Sequence, residues 1–559
     1  MSQTQTVAEL IVKCLENEGV EYVFGIPGEE NIKLVRALTA AENIRFILTR
    51  HEQGASFMAD IYGRLTGRAG VCTATLGPGA INLLLGVADA QTDSSPLVAL
   101  TAQVGLNRIY KESHQIVDLV AMFRPVTKWA ELINTAAAVP EMLRQAFHTA
   151  QAERPGAAYL AIPEDIEGTQ VPSDWQPLAV TTPTMGPPCD AAIKQVVSIL
   201  KQAQNCVVLA GHGVARGAAA QALGDFVQRY QLPVATTFMA KGVLSDKSPL
   251  SLGVIGFMEH DYENFAFDKA DVILSIGYEL QEFAPSRINP HKDKTIIHIN
   301  TFLADVDANY VPEASLVADI NLAIKALDKA LSAALQANNR LGLPAPAVAQ
   351  IKGLVAAELQ KGRDSQSFPL LPQRIVADIR AAMGDDDIVL ADTGAIKMWM
   401  ARLYPTYAPL SCIVSNGLST MSFALPGALG AHLACPDKKV LAVMGDGSFL
   451  MNSQEIETAV RENIPLKVLV WVDHSYGLIK WKMDIEEGDH DSVDFTNPDF
   501  VQYAQSFGAK GYHIDSAEAL LPTLHQALAE PGVSIIACPV DYSENMRLVH
   551  QLGELTIAL

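Results

Sequence analysis

The chain is 559 residues long, 49% hydrophobic and 18% charged, a balance that excludes a largely disordered or collagen-like polymer and predicts buried cores in three or four domains. Its 41 Lys and Arg against 62 Asp and Glu leave a net charge of −21, which repels phosphate backbones and anionic lipid, so neither nucleic acid nor membrane is expected as a partner. Seven scattered cysteines without a CxxC pair, no basic and apolar leader, and no run near the ~18 apolar residues of a membrane span predict a soluble, cytoplasmic protein.

Val7, Leu10, Ile11, Cys14 and Leu15 recur at helical spacing and predict a first helix. Apolar runs of strand length follow at 44–48, 70–76, 97–102, 206–210, 272–276, 295–299, 388–390, 440–444, 467–472 and 534–540. They alternate with helical stretches such as 190–204, where Ile193, Val196, Val197 and Leu200 share a face behind a possible Asp190 N-cap. That alternation predicts an α/β protein of mainly parallel sheets flanked by helices. Proline-rich 171–190 and polar, alanine-rich 335–372 read as linkers. Cutting there gives units at 1–172, 190–335 and 370–559. Gly-Pro turns at 76–80 and 425–430 echo each other in the outer units, too weakly to establish duplication.

Arg50-His51-Glu52 lies between the 44–48 strand and an alanine-rich helix; alone, such a glutamate reads as a cap or a solvated first-turn residue. Gly211-His212-Gly213 is followed next by Gly217, a spacing that misses the dinucleotide fingerprint. Gly384 to Asp387 reads as a solvated turn. At the end of the 440–444 strand, Gly445-Asp446-Gly447-Ser448 places an acid between glycines where backbone amides can approach a phosphate and Asp446 can hold a hard cation; the plain alternative is an N-cap. A helix at 452–462 and a strand at 466–472 then lead to Asp473-His474-Ser475-Tyr476-Gly477, so two neighbouring strand ends can serve one metal and one pyrophosphate.

Gly445-Asp446-Gly447 with a polar residue near 474 resembles the thiamin diphosphate and Mg²⁺ motif of enzymes that decarboxylate 2-oxo acids. Val23-Phe-Gly-Ile-Pro-Gly28, Thr75-Leu-Gly-Pro-Gly-Ala-Ile-Asn82, His114-Gln115, Ala121-Met-Phe-Arg-Pro-Val-Thr-Lys128, Ser415-Asn-Gly417, Thr420-Met421 and Phe507-Gly-Ala-Lys510 extend the resemblance to acetolactate synthases, especially the catabolic, FAD-independent branch. The resemblance implies a pyrimidine-binding, a central and a diphosphate-binding domain. It implies a homodimer or homotetramer with Glu52 supplied across the subunit interface, and condensation of two pyruvates into 2-acetolactate with loss of CO₂.

The same resemblance assigns roles. Glu52 would hydrogen-bond the aminopyrimidine ring, and burial would raise its pKa. Gln115 would join it as a catalytic position and line the substrate pocket with Phe123. Lys128 would attract carboxylates, or be an ordinary surface lysine. Pro27, Gly28 and Asn82 would meet the cofactor on the pyrimidine side, and the Ser419 carbonyl would receive its amine. Met421 would prop it into a bent shape, unless it is a core gap-filler. Gly394, Ala395, Lys397, Gly445, Gly447, Ser448, Tyr476, Gly477 and Leu478 would surround the diphosphate. Trp481 and Lys482 stand where FAD-dependent relatives carry a substrate-selecting tryptophan. His474 replaces the usual asparagine ligand, and imidazole is a poor partner for Mg²⁺. Three outcomes stay open: Asp446 and the Tyr476 carbonyl hold Mg²⁺ with water, His474 selects a softer metal, or cofactor binding is weakened. Residues 277–283 resemble the catabolic branch, so no FAD is expected. The rivals are a simple 2-oxo acid decarboxylase, disfavoured because His114 is followed by Gln115, and a silent metabolite-binding paralogue, motivated by His474.

Overall fold

Thr6 opens the first helix, Val7–Asn17, through a reciprocal cap: its hydroxyl accepts from Glu9 N while the Glu9 carboxylate accepts from Thr6 N. Val7, Leu10, Ile11, Cys14 and Leu15 are buried along one face, as their spacing predicts. From there the computed structural model, which describes residues 4–181, 184–255, 261–335 and 340–554, forms three six-stranded parallel sheets flanked by helices.

In spatial order the first sheet is Arg45–Leu48, Tyr22–Gly25, Gly70–Ala74, Leu97–Gln103, Ala157–Pro163 and Trp129–Leu132. The second is Ser251–Val254, Val234–Thr236, Cys206–Ala210, Val272–Ile276, Thr295–Asn300 and Pro312–Val317. The third is Cys412–Ile413, Ile388–Ala391, Val440–Gly445, Lys467–Val472, Ser534–Pro539 and Lys510–His513. Inner strands such as Leu97–Gln103 are buried at every position because helices cover both faces, which is why they read as continuous apolar runs. Counted along each unit, the first and third sheets share the order 2-1-3-4-6-5, whereas the second runs 3-2-1-4-5-6. The Gly-Pro echo does not follow that symmetry. Residues 76–80 come after the third strand of their sheet, while 425–430 lie inside the Ala424–Ala434 helix that precedes it.

Three local expectations are corrected. The alanine-rich "linker" contains a 19-residue helix, Ala345–Arg363, whose buried Ala347, Val348 and Ile351 pack it onto the protein and whose Glu358 pairs with Arg402. Alanine is the strongest helix former, and the composition is better read that way. The helix expected at 452–462 is shorter, Glu455–Arg461, and a separate helix, Asp446–Asn452, precedes it. The helix after the first linker begins at Asp190 itself, with Cys189 at the cap position and no side-chain cap. Gly384 to Asp387 is a turn closed by Gly384 N donating to the Asp387 carboxylate, as read from the sequence.

In an open parallel sheet ligands bind where the strand order reverses. In the central sheet that crevice, between Cys206–Ala210 and Val272–Ile276, is closed. A Cβ at Gly211 would lie 2.3 Å from Tyr278 Cα, and one at Gly277 would lie 2.6 Å from Val214 N. The Glu282 carboxylate accepts from His212 N at 3.1 Å and from Glu279 N at 2.9 Å, taking the helix-start amide that a nucleotide phosphate would use. Burial first, and Glu279 second, push Glu282 up from 4.5 to about 8. The folded chain therefore holds this proton across a window in which the unfolded chain has lost it, so stability falls as pH rises from 4.5 towards about 8, by at most about 1.4 kcal/mol per pH unit. Glu282→Gln is expected to flatten the decline of Tm between about pH 5 and 8 relative to the parent, checked by calorimetry across that range.

Candidate active site

The corresponding reversal in the third sheet falls between Ile388–Ala391 and Val440–Gly445, and there the structure is open. Gly394 and Ala395 follow one strand, Gly445, Gly447 and Ser448 follow the other, and all line a single cleft with Met421, Asp473, Tyr476, Gly477 and Leu478. The Ala395–Leu403 and Gly477–Glu486 helices begin at this cleft, so unpaired N–H groups and positive dipole ends face it. A Cβ at Gly447 would stand 2.9 Å from the Tyr476 ring, which packs in turn on Phe495. This is a cradle suited to a diphosphate.

At its floor Asp446 is fully buried. One oxygen accepts from Gly447 N at 2.8 Å; the other accepts from His474 N at 2.8 Å, Asp473 N at 3.2 Å and Asn497 Nδ2 at 2.7 Å. Asp473 lies beside it, and partial burial followed by the Asp446 charge pushes its carboxyl up to about 8. Two adjacent carboxylates need a proton or a cation between them. Asn497 Oδ1 is buried and without a partner among the described residues. An all-oxygen set of this kind fits a hard divalent cation.

Two expected ligands are corrected. The His474 side chain is exposed, and its Nδ1 is 3.1 Å from the amide nitrogen of Asn497, which stands between it and Asp446. The Tyr476 carbonyl is taken by Ile479 N at 2.9 Å and Lys480 N at 3.0 Å, so it points along the helix it starts. The residue sequence reasoning missed is Asp473. Its signal was present in the acid at the end of the second strand, one place before the histidine that was chosen.

Residues 415–422 form a loop pinned from three directions. Asp89 accepts from Ser415 Oγ at 2.6 Å and Thr420 Oγ1 at 2.8 Å, and Asp93 accepts from Asn416 N at 2.9 Å and Gly417 N at 2.6 Å. Asp392 accepts from Ser422 N at 2.8 Å and Ala424 N at 3.2 Å, and burial pushes it up to about 7. Lys397 does not reach the cleft: its ammonium donates to the Ser415 carbonyl at 2.7 Å and to Ser419 Oγ at 3.0 Å. These ties hold Ser419 and Ser422 at φ of 52° and 74°, a conformation costly for residues with a side chain, and so fix the direction of the Ser419 carbonyl and the position of Met421.

Glu52 opens the Glu52–Thr66 helix and is half-buried, less enclosed than expected. Asn82 Nδ2 donates to its Oε2 at 3.0 Å, and a Cβ at Gly79 would come within 3.2 Å of Oε1. The turn before it is held by Glu455, which accepts from Arg50 N at 3.0 Å and His51 N at 2.9 Å. Gly28 packs on Thr75 beside the exposed Pro27, and exposed Gln115 covers Gly77. None of Pro27, Gly28, Glu52, Asn82 and Gln115 lines the 445–477 cleft of the same chain. The substrate positions scatter. Phe123 is fully buried, its ring 3.9 Å from that of Tyr159. Lys128 donates to the Ala152 carbonyl at 2.7 Å, just ahead of the Trp129–Leu132 strand and so at the wrong end of the sheet for the site. Trp481 faces a cavity of about 450 Å³ shared with Asp473 and Gly477. Lys482 is exposed, 3.6 Å from Glu486.

Comparison with known proteins agrees with this layout. The thiamine pyrophosphate enzyme N-terminal TPP binding domain matches residues 5–122, the central domain 193–327 and the C-terminal TPP binding domain 392–538. The chain belongs to the thiamine pyrophosphate enzyme family. It is 36% identical over 554 residues to the acetolactate synthase of Bacillus subtilis, covering 98% of this chain and 96% of that protein. It is 35% identical over 552 residues to a catabolic acetolactate synthase of Raoultella terrigena (98% and 97%), and 33% identical over 568 residues to a probable acetolactate synthase large subunit of Methanococcus aeolicus (98% and 94%). In this thiamine pyrophosphate enzyme Glu455, Asp89, Asp93 and Asp392 are positioning residues. Glu455→Ala, which leaves the Arg50 and His51 amides without an acceptor, is expected to speed hydrogen exchange at those two amides about 10-fold or more; unchanged exchange would show that Glu455 does not hold the turn.

Proposed function

We propose that the protein is an acetolactate synthase that decarboxylates pyruvate and ligates the product to a second 2-oxo acid, giving 2-acetolactate. The observation that carries this reading is the cleft at 445–477 with paired Asp446 and Asp473, in a chain that matches acetolactate synthases along nearly its whole length. Thiamin diphosphate, when bound, supplies the carbon nucleophile and the electron sink for decarboxylation. The glycine turns after the two strands and the two helix starts hold its diphosphate, and Asp446 and Asp473 hold the Mg²⁺ or related ion that neutralises it. Met421 supports the middle of the molecule, and the Ser419 carbonyl accepts from its amine. Glu52 carries the proton exchange at the pyrimidine nitrogen through Oε1, its other oxygen being anchored by Asn82.

Because Glu52, Asn82 and Gln115 do not line the 445–477 cleft of their own chain, this reading has the site completed by a second copy, in a homodimer or homotetramer. We take residues 1–172, 190–335 and 370–559 as the pyrimidine-binding, central and diphosphate-binding domains. Glu282 at the central crevice supports a flavin-free enzyme, and seven free cysteines fit a reducing cytoplasm. Among the described residues no helix is long and apolar enough to cross a membrane.

Incubating the protein with pyruvate, thiamin diphosphate and Mg²⁺ and measuring acetolactate and acetaldehyde separately tests the reading; acetaldehyde alone would make it a simple decarboxylase. Glu52→Gln is expected to lower turnover by about 100-fold or more with the fold intact. Titrating Mn²⁺ in the presence of thiamin diphosphate, followed by electron paramagnetic resonance, should find Asp473→Ala weakened by about 100-fold or more and His474→Ala within about threefold of the parent. The reverse ranking would restore His474 as the ligand.

A further inference from the structure

Away from the cleft, a cavity of about 240 Å³ lies where the central sheet, the Ala345–Arg363 helix and the end of the Ala395–Leu403 helix meet. Lys241 lines it. The residue is 4% exposed, and among the described residues no hydrogen bond or ion pair reaches its ammonium. Gly242 makes this placement possible. With φ of 86°, it lies so close to the Ala408 carbonyl that a Cβ would sit 1.9 Å from the oxygen, which presses the Lys241 backbone against the C-terminal unit. Tyr404 lines the cavity too, and among the described residues its buried hydroxyl has no partner.

The other charges around the cavity are committed. Arg402 pairs with Asp261 and Glu358. Lys352 Nζ donates to the carbonyls of Asp246, at 2.8 Å, and Ser248. Lys247 pairs with Asp385 at 2.5 Å and lies over the Tyr407 ring at 4.1 Å. The Asp246 carboxylate accepts from Ser251 Oγ at 2.7 Å and Thr406 N at 2.8 Å. Among the described residues that line the cavity, the groups left without a partner are the Lys241 ammonium and the Tyr404 hydroxyl, and Leu252, Val355, Leu359 and Pro405 supply apolar lining; behind the lining, one buried carboxylate oxygen each of Glu263 and Glu358 also lacks a partner. A carboxylate that enters the cavity finds in Lys241 an ammonium that no other described residue engages, in surroundings where an ion pair is less screened than in water. A cavity of roughly 150 Å³ holds benzene, and this one is larger, which sets the occupant at about six to ten heavy atoms.

We infer that this cavity is a second, non-catalytic binding site for a small organic monoanion. Its carboxylate meets the Lys241 ammonium and the Tyr404 hydroxyl, and its aliphatic part covers the apolar wall. The site shares no lining residue with the 445–477 cleft, and the inference does not depend on the reaction the enzyme runs.

Isovalerate, which lacks a keto group, and inorganic phosphate are the probes, each titrated calorimetrically into the full-length protein. Isovalerate is expected to bind saturably in about the millimolar range, as suits a ligand of about seven heavy atoms, and to raise Tm. Lys241→Met should weaken it about 10-fold or more and abolish the Tm rise. Tyr404→Phe, which deletes only the hydroxyl, should weaken it about threefold to 10-fold. No saturable isovalerate binding up to about 50 mM, or binding unchanged in both variants, would overturn the site. Phosphate binding as tightly as isovalerate would overturn the aliphatic half of the assignment.

Discussion

Everything at the cofactor cleft depends on burying carboxylates between two units that must stay fixed relative to each other. Asp60, Asp89 and Asp93 come from the Glu52–Thr66 helix and the end of the Pro78–Thr92 helix, and Arg64 is their common cation, 3.2 Å from Asp60 and 3.1 Å from Asp93. All four are almost completely buried. Three acids cannot remain ionised around one guanidinium in such a place; burial, then Asp93 and Asp60, push Asp89 well above the usual carboxylate range. The cluster earns its cost by gripping the far side of the seam. Asp89 and Asp93 hold four groups of the 415–420 loop, and Arg64 Nη1 donates to the Val414 carbonyl at 2.8 Å. Removing one member of such a set typically costs about 3–5 kcal/mol, because the rest stay buried without partners.

The same use of acids as anchors recurs at Glu455, which crosses the seam the other way to hold Arg50 and His51, and at Asp392, which ties the 422–424 turn to its strand. This changes the meaning of the acid surplus. A count of −21 treats every carboxylate as surface charge, yet Asp60, Asp89, Glu282, Asp392 and Glu455 are buried, and burial raises the pKa of each. The field felt by a charged partner is weaker than the formula suggests. The internal acids serve geometry, holding turns whose positive φ values would otherwise relax.

Sheets and cleft were legible because both rest on short-range patterns. A strand buried on both faces must be a continuous apolar run, and a diphosphate cradle must have glycine where backbone meets ligand, so 440–448 and 466–477 announced themselves. What failed was the choice between neighbours. Asp473 and His474 are adjacent at a strand end, and successive side chains there point to opposite sides; His474 then turns to φ of 57°, which sends its ring outward. Position within the motif did not determine which of the two faced Asp446. Phe123 and Lys128 lie away from the cleft of the same chain for a different reason: their places depend on how the 119–132 segment returns to the sheet, and no local pattern records that. The seam acids left a trace: Asp60 and Asp89 interrupt alanine- and glycine-rich helices that have no outward polar face.

The three sheets end in three crevices of the same origin and different fates. The outer units share one strand order but not one outcome: in the third sheet the first and third strands leave room at 391–395 and 445–448, whereas in the first sheet 25–28 packs directly on 73–75, beside the residues around Glu52. In the central unit the strand ends come together until the Gly211 and Gly277 backbones touch their neighbours, and the Glu282 carboxylate takes the helix-start amide. A side chain whose own carboxyl oxygens occupy that amide competes with any phosphate-bearing ligand. Displacing it would bare a group whose burial already pushes it towards the protonated form. The central unit is thereby committed to packing, and its Lys241 edge, turned towards the C-terminal unit, becomes the place where an anion can still be received.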